Sequence, residues 1–295
     1  MATSEVVGVI PREKTRRPRR WRRLLARAVL PRIVLIAGCI IFMAPFYWMI
    51  VSALKTNTEL TATPPTLLPG VWAWDNFVKA VNYIPFGLYA LNSTVITLGA
   101  TIGAVLSNTV VAYGFSRIDW RGRNALFYLC VGTIFLPYPV VLVALVDTFG
   151  KLHWVDTFLP LIVPAFFGNP FYIFLMRQFM LGIPRELSDA ARVDGAGELQ
   201  VFWKVIMPLT RPAVTVVALF AAVAAWNDFL GPLLYLHNQN SYTLAIGLQF
   251  FRSTHDVSYN LLMAASTLVV LPIVVIFLFA QRFFIQGITV GGVKG

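Results

Sequence analysis

Charge leaves this chain at Arg32 and returns only at Lys55, and the same silence recurs over 80–116, 124–146, 157–176, 212–227 and 257–281. Six intervals of this kind approach or exceed the ~20 apolar residues that cross a bilayer core as a helix. Lipid offers a peptide group no hydrogen bond, so such runs must satisfy their own backbones, and helices do so segment by segment. The expectation is an all-α integral membrane protein of six transmembrane helices, near 33–53, 88–113, 125–146, 157–175, 213–235 and 261–280. Only 13% of the 295 residues are charged, against ~25% in soluble domains. No room remains for a sizeable soluble domain. Three parts are expected: a basic segment 1–32, a membrane domain 33–281 and a tail 282–295.

The net charge of +11 is unevenly placed, with ten of the 24 Lys and Arg residues between Arg12 and Arg32. That cluster joins a span directly, so it reads as an anchor to anionic headgroups, unstructured until it meets membrane, rather than as an arm for nucleic acid. The following run is too long for the ~7–15-residue core of a cleaved signal and reads as an uncleaved first span. With the N-terminus on the inner side, twenty Lys and Arg residues fall inside and four outside: Lys55, Lys79, Lys151 and Arg252. This obeys the positive-inside rule, and six spans return the C-terminus to the cytoplasm. Cys39 and Cys130 lie within spans, and the three histidines lack ligand spacing, so neither disulfide nor metal is expected. No phosphate-binding Gly-x-x-x-x-Gly-Lys-Ser/Thr run occurs, so energy must come from a partner or an ion gradient.

Proline recurs inside several runs, at Pro45, Pro137, Pro139, Pro160, Pro164, Pro170 and Pro272. Each removes a rung of the helical ladder. Interrupted helices line pathways in transporters, although simple kinking fits these prolines as well. Gly99 and Gly103, backed by Ala100, Ala104 and Ser107, predict close packing of the second span on another helix. Asp228, in Trp226-Asn227-Asp228, is an acid at or near membrane depth. It reads as a functional residue or as the wet outer end of its helix.

One polar interval interrupts the later spans. Over 184–196, Pro184 suits a first helical turn, Glu186 and Asp189 complement the positive helix end, and Gly195 suits a left-handed stop. Leu187, Ala190, Ala191 and Asp194 share one face, mostly small and apolar. Another protein can approach such a face closely. Beyond it, Leu199, Phe202, Trp203 and Ile206 suggest a second short helix against the inner headgroups, with Pro208 and Pro212 turning the chain into the fifth span.

This interval resembles the cytoplasmic coupling motif of bacterial ABC-importer permeases, E-A-A, three residues, G, then a closing I-x-x-L-P. Asp189-Ala190-Ala191 stands for E-A-A, Gly195 for the glycine, and Ile206-Met-Pro208 for the close, with Asp in place of Glu and the proline one place early. Three further stretches resemble sugar-importer permeases of the maltose-transporter type, in family order: Ala112-Tyr-Gly-Phe-Ser-Arg117, Ala225-Trp-Asn-Asp-Phe-Leu230, and the terminal run from Gln281 to Gly295. The resemblance covers residues ~40–295. It implies a type I ABC-importer permease fold in the bacterial cytoplasmic membrane, as the smaller of two permease partners. It also implies a second homologous permease, two copies of an ATP-binding subunit and an extracytoplasmic sugar-binding (lipo)protein. This chain would bind no cofactor, with ATP and Mg held by the partner ATPase subunits, and would itself be no enzyme. Its implied ATPase contacts are Glu186, Leu187, Asp189, Ala190, Ala191, Asp194, Gly195, Ala196, Ile206 and Pro208. Pathway residues would be Trp226, Asn227 and Asp228, and Gly291, Gly292 and Lys294 would form a tail contact. The rival is a subunit of an ion-driven secondary carrier, which needs ionisable residues at the midplane; only Asp228 offers one.

Overall fold

A computed structural model of the chain describes residues 18–252 and 258–291, with side chains placed over 29–252 and 258–281. It divides at Met49/Ile50 into two compact units. The first is built on α1, Pro18–Ala53, which runs through Pro31 and Pro45 and exposes apolar side chains such as Ile40 and Phe42. Residues 18–32 of the basic segment are therefore helical, where an unstructured segment was expected. Helix formation there extends a span that already has its nucleus, which is the costly step.

The second unit is all-helical, with no β-strand among the described residues. A Pro- and Trp-rich stretch leads to α2, Asp75–Tyr83, and then to α3, Phe86–Ser116, the longest element of the unit after the last helix. Next come α4, Arg123–Gly132, and α5, Tyr138–Lys151, which with a 3₁₀ turn at Thr133–Phe135 meet at 97°. The expected third span is thus broken, because Pro137 and Pro139 cannot continue an α-ladder. A segment over Leu159–Phe167 leads to α6, Pro170–Leu181. The short α7, Glu186–Val193, follows. Then α8, Met207–Trp226, is succeeded after a break by α9, Leu230–Tyr235, and the chain closes with α10, Tyr259–Gly291. Among the described residues, five helical stretches are long and apolar enough to cross a membrane, and six if the bent α4–α5 pair counts as one.

Two differences from the sequence expectation lie near α8. No separate helix precedes it: a turn at Glu198–Gln200 and a π-helical turn at Val201–Ile206 run straight into α8, one apolar stretch from Glu198 to Trp226. Pro208 and Pro212 sit inside this continuous rod instead of turning the chain, and the widened π turn ends just before the missing N–H of Pro208. The expected tail, in turn, is helical to Gly291; Gly292 and Lys294 lie outside the described residues.

Helices pack through small residues. A Cβ on Gly99 would stand 2.9 Å from Ile162, and one on Gly103 2.5 Å from the Phe166 ring, so α3 approaches the 159–167 segment as only glycine permits. That segment breaks at Gly168, whose φ of 92° and ψ of 154° suit glycine alone. Buried Asn108 of α3 accepts the Asn169 N–H at 2.7 Å, and Ser107 Oγ donates to the Ala165 carbonyl at 2.9 Å. A broken helix at membrane depth needs such replacement partners.

One core cluster, around Tyr113, Met176, Met180, Phe202, Ile206 and Val217, lies at the α7 end of the unit. Another, around Ala53, Tyr89, Trp226, Phe251 and Ala265, lies at the opposite end. There Asn92 donates to the carbonyls of Asn240 and Tyr242, both at 2.9 Å, and Ser93 Oγ accepts from Leu244 N–H, strapping the 238–252 loop to α3.

Candidate coupling helix and transmembrane cavity

The geometry of α7 is set at both ends. Pro184 lies before the helix instead of in its first turn; Arg185 is the cap, and its carbonyl accepts from Ser188 and Asp189. At the far end Ala196 N–H bonds Ala191 O at 2.9 Å and Gly195 N–H bonds Arg192 O at 3.0 Å, with Gly195 at φ 85°. This is a Schellman stop, which needs a residue free to go left-handed.

Only part of the expected apolar face looks outward. Glu186, Leu187, Ala190 and Asp194 are exposed, whereas Ala191 packs beside Ala196 on the core below. Ser188, buried beneath the helix, and Ala191 form the inner stripe. Both stripes contain an alanine, so helical spacing did not separate them. Val193, 88% exposed, completes the outer face and escaped the sequence reading. Ile206 is fully buried and Pro208 is exposed on the continuous rod. As placed here, Ile206 supports the helix from below and has no surface for a partner.

Polar links tie α7 to the spans. Tyr113 of α3 donates to Glu198 Oε2 at 2.5 Å; Glu198 Oε1 accepts from Arg192 Nε at 3.0 Å and Nη2 at 2.6 Å; Arg192 Nη1 reaches Asp189 at 2.7 Å. The bond to Glu198 raises the Arg192 pKa further, so this cation is permanent. Arg117, buried at the end of α3, donates to the carbonyls of Met180 and Ile183, fastening the turn that leads into α7. Burial, then Arg185 nearby, lowers its pKa, but a guanidinium remains charged in proteins. Arg185 reaches Asp119 at 3.4 Å. The signal for this network was Tyr113 and Arg117, one helical turn apart in the stretch Ala112–Arg117 that carried part of the family resemblance.

A second feature lies midway along α3. A cavity of about 490 Å³ is lined by Ala100, Ala104, Tyr138, Asn169, Tyr172 and Asp228, among others. Three of its polar members come from breaks: Tyr138 from the α4–α5 bend, Asn169 from the Gly168 interruption, Asp228 from the gap between α8 and α9. Of the three expected pathway residues the cavity takes only Asp228. Trp226 turns away, buried, with Nε1 donating to Val269 O at 3.1 Å. Asn227 is exposed and donates to Val223 O at 2.9 Å. Tyr138, Asn169 and Tyr172 were missed, although the flanking Pro and Gly residues marked the breaks beside them.

Membrane-crossing helices, a mid-depth polar cavity at their interruptions, and a short exposed helix projecting from one end together define a multi-pass membrane transport subunit. The chain belongs to the binding-protein-dependent transport system inner membrane component family, whose model matches residues 99–290. It is 35% identical to the arabinooligosaccharides transport system permease protein AraQ of Halalkalibacterium halodurans, over 85% of this chain and 91% of that relative. It is 31% identical to the sn-glycerol-3-phosphate transport system permease protein UgpE of Yersinia pestis, over 87% and 94% respectively. In structure it resembles a bacterial ABC transporter involved in import of the acidic polysaccharide alginate, with a TM-score of 0.78 over 90% of this chain and 98% of that one, at 20% identity. The type I ABC-importer permease fold follows, and the ion-driven carrier reading has no support.

Proposed function

We propose that this chain is one of the two permease subunits of an ATP-driven sugar importer in a bacterial cytoplasmic membrane. Two saccharide transporters among its relatives and structural neighbours, one for arabinooligosaccharides and one for alginate, support sugar as cargo. A second homologous permease completes the pathway, an extracytoplasmic binding protein delivers the sugar, and two ATPase subunits hold ATP and Mg. This chain contributes no cofactor site and no catalytic group.

The observation that carries the coupling role is the exposed face of Leu187, Ala190, Val193 and Asp194 on a helix fixed at both ends. Small side chains let an ATPase surface come close, and the links through Arg117 and Arg192 pass its displacement to α3, α6 and α8. A ligand moves such an equilibrium only by its differential affinity for the two states. ATP-bound closure must therefore hold α7 in a position the open dimer does not.

Substitution at adjacent alanines tests this. Ala190→Arg, on the outer face, should leave the protein folded and membrane-inserted yet abolish uptake and ATPase association. Ala191→Arg, on the inner face, should instead destabilise the α7 end, seen as a lower thermal midpoint in detergent. An Ala190→Arg permease that binds the purified ATPase with unchanged affinity would sink the coupling role.

A further inference from the structure

The mid-depth cavity carries a charge asymmetry that bears on which sugars can pass. Its lining comes from four segments, 80–116, 124–150, 152–176 and 212–251, and none of them contains a Lys or Arg. Asp228 is the one charged lining residue. Its Oδ1 accepts from Gly231 N–H at 3.1 Å at the start of α9, so one oxygen is committed to the backbone. Among the described residues it has no ion-pair partner. The remaining polar lining is neutral: the Tyr138 and Tyr172 side chains, and Asn169, whose Oδ1 caps α6 at Phe171 N–H, 3.0 Å away.

We infer that Asp228 makes this half of the pathway discriminate by charge, admitting neutral or amino-bearing saccharides and disfavouring those with carboxylate or phosphate groups. This rests on reading the cavity as part of the pathway. The named cargoes of its relatives and structural neighbour span both kinds: arabinooligosaccharides, a phosphate ester and an acidic polysaccharide. In a medium of low effective dielectric a single uncompensated charge acts over ~10 Å. A carboxylate facing a cavity without cations therefore repels an anionic sugar and offers hydrogen-bond acceptance to hydroxyl and ammonium donors. Hydroxyl-rich neutral sugars lose nothing in its presence, and tyrosine rings with hydroxyl tips suit their ring faces and edges.

Charged thiol probes test this without knowledge of the sugar. In the assembled transporter, with Cys39 and Cys130 replaced, Ala224→Cys lines the cavity and Ala62→Cys, exposed and away from the α7 face, serves as a reference. Trimethylammonium-ethyl and sulfonatoethyl methanethiosulfonate are reacted with each. The cation-to-anion rate ratio at position 224, divided by that at 62, should be ~10-fold or more. It should fall toward unity in Asp228→Asn, which keeps the oxygen that accepts from Gly231. Asp228→Ser retains a capping oxygen and serves if the first variant folds poorly. A ratio near unity in the parent, or one unmoved by either substitution, overturns the assignment to Asp228. The underlying pathway reading is tested apart: an uncharged maleimide kept from crossing the bilayer by a short poly(ethylene glycol) chain should reach the Ala224→Cys thiol from opposite membrane sides before and after trapping with ATP and vanadate. If sidedness does not switch, that reading fails whatever the charge ratio.

Discussion

Gly168, Asn108 and Gly195 each do something no other residue type does as well in its place. Gly168 holds a backbone conformation costing other residues about 1–3 kcal/mol, and Gly168→Ala should lower thermal stability in detergent by that order. Asn108 is fully buried and supplies the acceptor for Asn169 N–H. Asn108→Leu keeps much of the volume and leaves that N–H unpaired, a penalty of about 1–3 kcal/mol; a thermal midpoint equal to the parent's would mean the break is held by other contacts. Gly195 was legible in the sequence because a left-handed stop after a short amphipathic stretch has few residues to choose from. Asn108 was not, since an asparagine in a long apolar run announces a need for a partner without naming it. Likewise Ala190 and Ala191 are chemically identical, and their opposite roles follow from which side of α7 the core lies.

Among elements, the Tyr113–Glu198–Arg192–Asp189 chain is a mechanical tie with little energetic weight. Its Arg192 and Glu198 are partly exposed, and such pairs contribute at most about 1 kcal/mol. Glu198→Gln or Tyr113→Phe should therefore leave the thermal midpoint nearly unchanged. Either should raise ATP hydrolysed per sugar imported in proteoliposomes, because α7 is then freer to move without α3. Equal coupling ratios in variant and parent would rule out the tie. At the opposite end, Asp156 accepts from His237 N–H at 2.5 Å and Asn238 N–H at 3.1 Å. Those bonds, the His237 one first, hold its carboxyl below the usual value. A group whose pKa is lower folded than unfolded stabilises above its unfolded pKa of ~3.9 and loses that contribution as pH falls through the folded one. Amide exchange at 237–238 should accelerate below pH ~4 and be flat from about pH 5 to 8 once corrected for the intrinsic rate, and Asp156→Asn should weaken the acid response.

The whole chain makes one topological commitment, that the 97° α4–α5 pair counts as a single crossing. Cysteines placed at Arg121 and Lys151 should then label from opposite membrane faces, with Leu187→Cys on the side of Arg121. Labelling of 121 and 151 from the same face would make the pair re-entrant and put the two ends of the chain on opposite sides. Membrane residence, helical class, the number of apolar runs and the place of the polar interval that holds α7 were all readable from residue order. Lipid allows only one solution to a long uncharged run, and a polar interval between such runs has to sit outside the bilayer. Which face of α7 is free, that the fifth span begins at Glu198 through a π turn, and that Tyr138, Asn169, Tyr172 and Asp228 share a cavity while Trp226 does not could be learned only from the folded chain. Those facts depend on helices distant in sequence coming to rest against one another, and hydropathy, which records affinity for lipid, carries no term for which neighbour a helix will meet.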